Sequence, residues 1–133
     1  MASSNIILPI TAYSINTTQP VIGEKFKGDG FYSQADGYHT VQWNLYEFVG
    51  TVRLQASLEA VPTDSDWFFV PISTTVFSMD TTGQVTSTPI NKFEYTESTT
   101  GVFGYNFTGN YVWIRAYITN WTAGTVNSIN LSH

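Results

Sequence analysis

Thr51-Val52-Arg53-Leu54-Gln55-Ala56-Ser57-Leu58-Glu59 alternates apolar and polar side chains without a break. Successive side chains of a strand point to opposite faces. Val52, Leu54, Ala56 and Leu58 therefore share one face, and Thr51, Arg53, Gln55, Ser57 and Glu59 the other. That pattern predicts a half-buried strand with one wet face. A second stretch, Tyr111-Val112-Trp113-Ile114-Arg115-Ala116-Tyr117-Ile118, repeats the alternation with Val112, Ile114, Ala116 and Ile118 on one face. Its other face carries Tyr111, Trp113, Arg115 and Tyr117, so neither side is polar in the usual sense.

Working outward, positions 40–48 alternate Val41, Trp43 and Leu45 inward and then slip phase at Tyr46 and Phe48, the mark of a bulge or corner. Weaker strands are expected over 26–33, 67–72, 75–79, 84–88, 92–96 and 125–131. Turn residues recur between them: Gly28-Asp29-Gly30, Ala35-Asp36-Gly37, Pro62 to Asp66, Thr81-Thr82-Gly83, Thr100-Gly101, Thr108-Gly109-Asn110 and Ala123-Gly124. Helical apolar spacing is never sustained. The expectation is an all-β chain: a single antiparallel β-sandwich, jelly-roll-like, over residues 21–133. Its core candidates are Val41, Trp43, Leu45, Val52, Leu54, Leu58, Val112, Ile114, Ile118, Ile129 and Leu131.

Residues 1–20 form an extended N-terminal segment around Ile6, Ile7, Leu8, Pro9 and Ile10. Two readings are open. It is an edge strand on its own domain, or an arm that completes a sheet of a neighbouring subunit. Pro9 suits both, because it cannot donate to a central ladder.

The chain's 133 residues suffice for one domain with a buried core. Apolar residues make up 42% and charged residues only 11%, less than half the usual share. Ser and Thr take the place of charge. The formal net charge of −5 rests on five basic residues, Lys25, Lys27, Arg53, Lys92 and Arg115, which form no cluster in sequence beyond Lys25/Lys27. Phosphate neutralisation needs several cations on one face, so neither a nucleic-acid nor an anionic-membrane partner is expected. Cysteine is absent, which removes disulfides, thiolate metal sites and a thiol nucleophile. The N-terminus has no positive signal-peptide region, and Asn-X-Ser/Thr sites at Asn16, Asn106, Asn120 and Asn130 are read as unmodified. A cytoplasmic place of assembly is expected.

Candidate chemistry is thin. Ser-His-acid catalysis needs a base held against its nucleophile. The internal histidine, His39, follows a turn and is expected to be solvated, and His133 is terminal. Paired-carboxylate chemistry has only Glu47, Glu59, Glu94 and Glu97 to draw on. Asp64 and Asp66 are two oxygen-bearing side chains in one loop, but Asx-turn bonding explains them more simply than calcium. No catalytic residue, metal site or cofactor is therefore assigned, and the chain is expected not to be an enzyme.

What remains is aromatic surface. Tyr111, Trp113, Arg115 and Tyr117 on one strand face, with Trp121 just beyond, are residue types that dominate interfaces. Three readings stand: a strand covered on both faces, a protein interface, or a platform for sugar rings. As an interface set it joins Ile6, Ile7, Leu8 and Ile10 of the N-terminal segment.

Two stretches together resemble a known group. Positions 48–58 with Pro62 to Phe68, and Gly109 to Ile118 ending in Gly124-Thr125-Val126, are similar to small β-sandwich structural proteins of tailed bacteriophages, especially marine myovirus-like ones. The resemblance spans residues 40–131 and carries no catalytic residues. It implies a non-enzymatic virion component, a head decoration, neck or tail protein, that contacts copies of itself and other virion proteins. On that implication the protein resides in the virion, assembled in the host cytoplasm. The alternative is a carbohydrate-binding module or adhesin domain using the aromatic stripe.

Overall fold

The computed structural model describes residues 4–32, 37–79 and 81–132. Ser33, the Ala35-Asp36 turn and His133 lie outside the described residues. The chain is almost entirely β. Among the described residues ten strands follow in order: β1 (Ser4–Leu8), β2 (Thr11–Ala12), β3 (Val21–Ile22), β4 (Phe26–Lys27), β5 (Tyr38–Ser57), β6 (Phe68–Phe69), β7 (Ile72–Met79), β8 (Val85–Ile90), β9 (Phe93–Thr108) and β10 (Trp113–Ser132). Short 3-10 turns sit at Asp29–Tyr32 and Asp64–Asp66. Eight strands form one antiparallel sheet, and β7 and β8 form a separate hairpin.

The sheet is built on β5 and β10, which pair along their whole lengths from Trp113↔Ser57 to Ser132↔Thr40. On the far side of β10 the N-terminal segment runs as an interrupted strand. β4 pairs at Trp113, β3 at Tyr117, β2 at Thr125 and β1 at Ile129 to Ser132. On the far side of β5 lie β9 and the short β6.

This sheet folds back on itself. Trp43 pairs with Phe103 and Ile129, whereas Phe93 pairs with Val52, nine residues further along β5. Nine residues of straight strand span roughly 30 Å. Yet the Trp43 and Phe93 ring centroids are 5.0 Å apart, and Trp43 Nε1 donates to the Tyr95 hydroxyl at 2.8 Å. The halves can meet only if both long strands bend.

The bends are visible in the backbone. Glu47 has φ 51°, Asn120 φ 52° and Gly124 φ 86°, and the pairing register shifts between Leu45 and Phe48 and again between Thr119 and Ser128. Bulges of this kind sharpen twist and turn a sheet corner. The two bends touch: a Cβ on Gly124 would lie 2.1 Å from the Glu47 carbonyl oxygen. Glycine is required there both for its φ and for its lack of a side chain. At the β10 bulge the Gln19 side chain replaces a missing ladder partner. Its amide donates to the Trp121 carbonyl at 2.6 Å, and the Trp121 N–H donates to Gln19 Oε1 at 2.8 Å.

Between the halves lies the core. Val41, Trp43, Leu45, Val52, Leu54, Ile114, Ile118, Ile129 and Leu131 are buried, as expected. Burying each such side chain contributes on the order of 1.5–3 kcal/mol. Two expected core members differ. Val112 is only half-buried and precedes the first strand residue of β10. Leu58 is 63% exposed. The alternation stops being structural at Ser57, where β5 ends and the Ser57 hydroxyl accepts the Glu59 amide at 3.1 Å. The expected wet face of 51–57 is also covered. Thr51, Gln55 and Ser57 are buried.

His39 is a buried strand residue rather than a solvated loop one. Its ring stacks on Phe107 at 4.9 Å and 3°, and its Nε2 accepts the Asp29 amide at 3.2 Å.

Candidate functional site

The outward face of the half containing 49–57 and 113–119 gathers four of the chain's five cations. Trp113, Arg115 and Tyr117 alternate outward along β10, and Arg53 stands beside Tyr117 through the pairing Tyr117↔Arg53. Phe69 joins them through its pairing with Gln55. The segment 62–69 then folds against these side chains and brings Trp67 over Arg115.

Each cation meets a ring. The Arg115 guanidinium lies 4.0 Å from the Trp67 ring, while its Nε donates to Gln55 Oε1 at 2.8 Å. The Arg53 guanidinium sits 3.2 Å from the Phe69 ring, which packs edge-on against Tyr117 at 5.1 Å. Lys25 Nζ lies 4.6 Å from the Trp113 ring, and Lys27 Nζ 4.4 Å from Phe31. Phe31 in turn contacts Trp113 at 5.2 Å. The fifth cation, Lys92, pairs instead with Glu94 at 2.8 Å. Attraction of a cation to a ring quadrupole helps to hold charge on this face.

Desolvation is the main influence on the two guanidiniums. Burial pulls Arg53 and Arg115 below the usual arginine value, opposed by nearby Tyr117 and, for Arg115, by Asp64. Both stay charged at neutral pH, because arginine titrates far above it. The face therefore offers planar, preoriented donors beside aromatic surface. A shallow groove of about 480 Å³ runs between Glu24 and Lys25 on one side and Asp64 and Trp67 on the other, with Arg115 in its lining.

The N-terminal segment supplies a second concavity. Ile6 to Pro9 and Ile22 to Phe26 border an apolar groove of about 570 Å³, where the edges of the two sheet halves meet. β1 is hydrogen-bonded to the chain's own β10. Ile7 and Leu8 are buried there, whereas Ile6 and Ile10 are 57% and 72% exposed.

The structure separates the sequence-derived aromatic set. Trp113, Arg115 and Tyr117 share the outward face. Tyr111 and Trp121 do not. Tyr111 is buried against His39, Phe107 and Phe68, and its hydroxyl donates to the Thr108 carbonyl at 3.2 Å. Trp121 is fully buried, packed on Phe48, with its Nε1 donating to the Ala123 carbonyl at 2.9 Å. Tyr111 precedes β10, so strand alternation does not govern it. Trp121 follows Asn120, whose positive φ inverts the alternation.

Sequence reasoning missed Trp67, Phe69, Lys25, Lys27 and Arg53 as members of this face. One signal was present: Arg53 and Arg115 both occupy the polar phase of their strands in a chain with very few cations. Asp66 is engaged locally, accepting the Thr63 amide at 2.7 Å and hydroxyl at 2.8 Å, which holds its carboxyl below the usual range. Among the described residues, no helix is long and apolar enough to cross a membrane.

No family model matches the chain, and no curated protein sequence matches it. Among solved structures, the crystal structure of the SPBc2 prophage-derived protein YomS is similar over 99% of this chain and 91% of its own, with a TM-score of 0.53 and 10% identity. At that identity the likeness is one of fold.

Proposed function

We propose that this protein is a non-enzymatic structural component of a tailed-phage particle, a head decoration, neck or tail protein that works through protein–protein contacts. The observation that carries the reading is fold likeness to a prophage-derived protein over nearly the whole chain. The cation–aromatic face fits a binding role. Trp, Tyr and Arg are the residue types that dominate interface energetics, and here Trp113, Arg115 and Tyr117 are set in place by Gln55, Trp67 and Phe69. The partners are other virion proteins and copies of the chain, and the location is the virion.

The test is to purify particles of the phage that encodes the chain on a density gradient and probe them by mass spectrometry. The chain is expected to band with the particles at constant stoichiometry. Its absence from washed particles that contain the other structural proteins overturns the reading. In particles made with Arg115→Ala, occupancy should fall.

A second reading, glycan binding, is favoured by the groove in which Trp67, Arg115 and Asp64 converge. Planar donors and acceptors beside an aromatic ring suit a pyranose with its vicinal hydroxyls. Binding on a glycan array that is lost with Trp113→Ala or Trp67→Ala favours it over the first.

A further inference from the structure

The two long borders of the sheet are finished differently. The outer edge of β10 is covered by short strands within residues 4–27 of the same chain. That covering segment carries Pro9, Pro20, Glu24, Lys25 and Lys27. Proline and charge are the devices that keep a sheet edge from pairing further. The second half of β9 has neither. Positions 98–110 contain no Asp, Glu, Lys, Arg or Pro, and from Gly101 to Thr108 the register against β5 runs without a shift. Among the described residues β9 pairs with no strand but β5. β7 approaches it but pairs only with β8.

Two contacts fix the backbone phase of this edge. The Gly109 N–H donates to the Gly37 carbonyl at 3.0 Å. A Cβ on Gly104 would lie 3.9 Å from the Val41 carbonyl oxygen, so that carbonyl points at β9, where Val41 is paired with Tyr105. In an antiparallel ladder the N–H and C=O of one residue point to one side, and those of the next residue to the other. Phe103, Tyr105 and Phe107 accordingly bond toward β5. Val102, Gly104 and Asn106 turn their N–H and C=O groups to the outer edge. On the core side of that edge Phe103 and Tyr105 are only half-buried. Their rings pack on Tyr95 at 5.6 Å and on Phe93 at 4.4 Å.

We infer that the edge of β9 at 102–108 takes up an extended segment of a partner polypeptide as an added strand. Donor–acceptor pairs recurring about every 7 Å match the backbone of another strand. Neither a sugar nor a nucleic acid repeats N–H and C=O at that interval. The half-buried rings of Phe103 and Tyr105 select apolar side chains at alternate positions of the incoming segment, on its core side. The chain's own N-terminal segment is engaged on β10, and a net charge of −5 works against a second copy as the donor. The added strand uses none of the cation–aromatic residues and does not depend on the phage reading.

Two fluorescein-labelled peptides of ten alternating valines and threonines, titrated with the full chain and followed by anisotropy, test the inference. One is unmodified. The other is N-methylated at every residue, which keeps its side chains and removes its backbone donors. Wild type is expected to bind the unmodified peptide and to bind the methylated one about tenfold more weakly or worse, from the loss of several backbone bonds. Amide exchange in the complex should slow at Val102, Gly104 and Asn106. Asn106→Pro removes an outward N–H and leaves the β5 ladder alone. It should weaken the unmodified peptide about tenfold with an unchanged far-ultraviolet circular dichroism spectrum, whereas Val61→Lys, in an exposed loop, should not. Failure of the unmodified peptide to bind overturns the inference, and so does equal binding of the two peptides, which is decided even if Asn106→Pro does not fold. A wild-type dimer that Asn106→Pro dissolves would overturn the partner as occupant in favour of a second copy.

Discussion

Trp43 Nε1 donates to the hydroxyl of Tyr95 at 2.8 Å, and this bond joins the two halves of the folded sheet. Trp43 is fully buried, so its N–H has no access to water once the partner is removed. Tyr95→Phe keeps the ring packed against Phe48 and Phe103 but orphans that donor. The expected loss is about 1–3 kcal/mol of unfolding free energy, read from urea denaturation. An unchanged midpoint would mean that the bond contributes nothing.

The same hydroxyl gives the protein an alkaline limit. Burial pushes the Tyr95 phenol up from 10.0 to about 12, and burial also raises Tyr111. Between those pH values the unfolded chain has released the Tyr95 proton while the folded chain retains it. The unfolded state then binds fewer protons, so stability falls as pH rises. The stabilising contribution is fully present below pH 10 and is lost as pH rises through the folded value near 12. Thermal melts over this range should show a decline that Tyr95→Phe makes shallower.

Gly124→Ala should be among the most damaging single substitutions. The added Cβ would meet the Glu47 carbonyl at 2.1 Å and Phe48 Cα at 2.6 Å, at a φ of 86° that side chains disfavour. A cost of about 2 kcal/mol or more follows from overpacking and backbone strain together. A melting temperature within a degree of wild type would show that the bend relaxes without resistance.

Trp121 and Trp113 should separate cleanly by readout. Trp121→Ala opens a large cavity in the core and is expected to cost about 3–5 kcal/mol. Trp113→Ala removes a half-exposed ring that holds Lys25 and should cost only about 1 kcal/mol, while weakening partner binding. Equal effects on stability would contradict the burial difference.

Leu58→Ser tests where β5 ends. Because Leu58 stands in solvent, the change should stay within about 0.5 kcal/mol of wild type. Leu54→Ala, four residues earlier and fully buried, should cost about 2–5 kcal/mol. Similar losses at both positions would return Leu58 to the core.

Much of the architecture was legible in the residues. The alternation through Val52, Leu54 and Ala56 and through Ile114, Ala116 and Ile118 identifies strands and their core face, and the phase slip at Tyr46–Phe48 falls at the bend around Glu47. The candidate site was legible only in part. Trp113, Arg115 and Tyr117 share a phase, so their common face follows from local geometry. Lys25, Lys27, Trp67 and Phe69 reach that face from segments distant in sequence, and no local period reports them.

The sequence by itself determined an all-β chain with little charge, the inner face of its two longest strands, and a shared outward phase for Trp113, Arg115 and Tyr117. These follow from the two-residue period of a strand, which is a property of neighbouring residues. Tertiary structure alone decided that one sheet folds over itself, that Tyr111 and Trp121 enter the core, and that the polar phase of 51–57 is covered. Burial on a strand's second face depends on what a remote segment lays over it. At Asn120 and Gly124 the bulge also changes which way each following side chain points, and that parity is set by the partner strand.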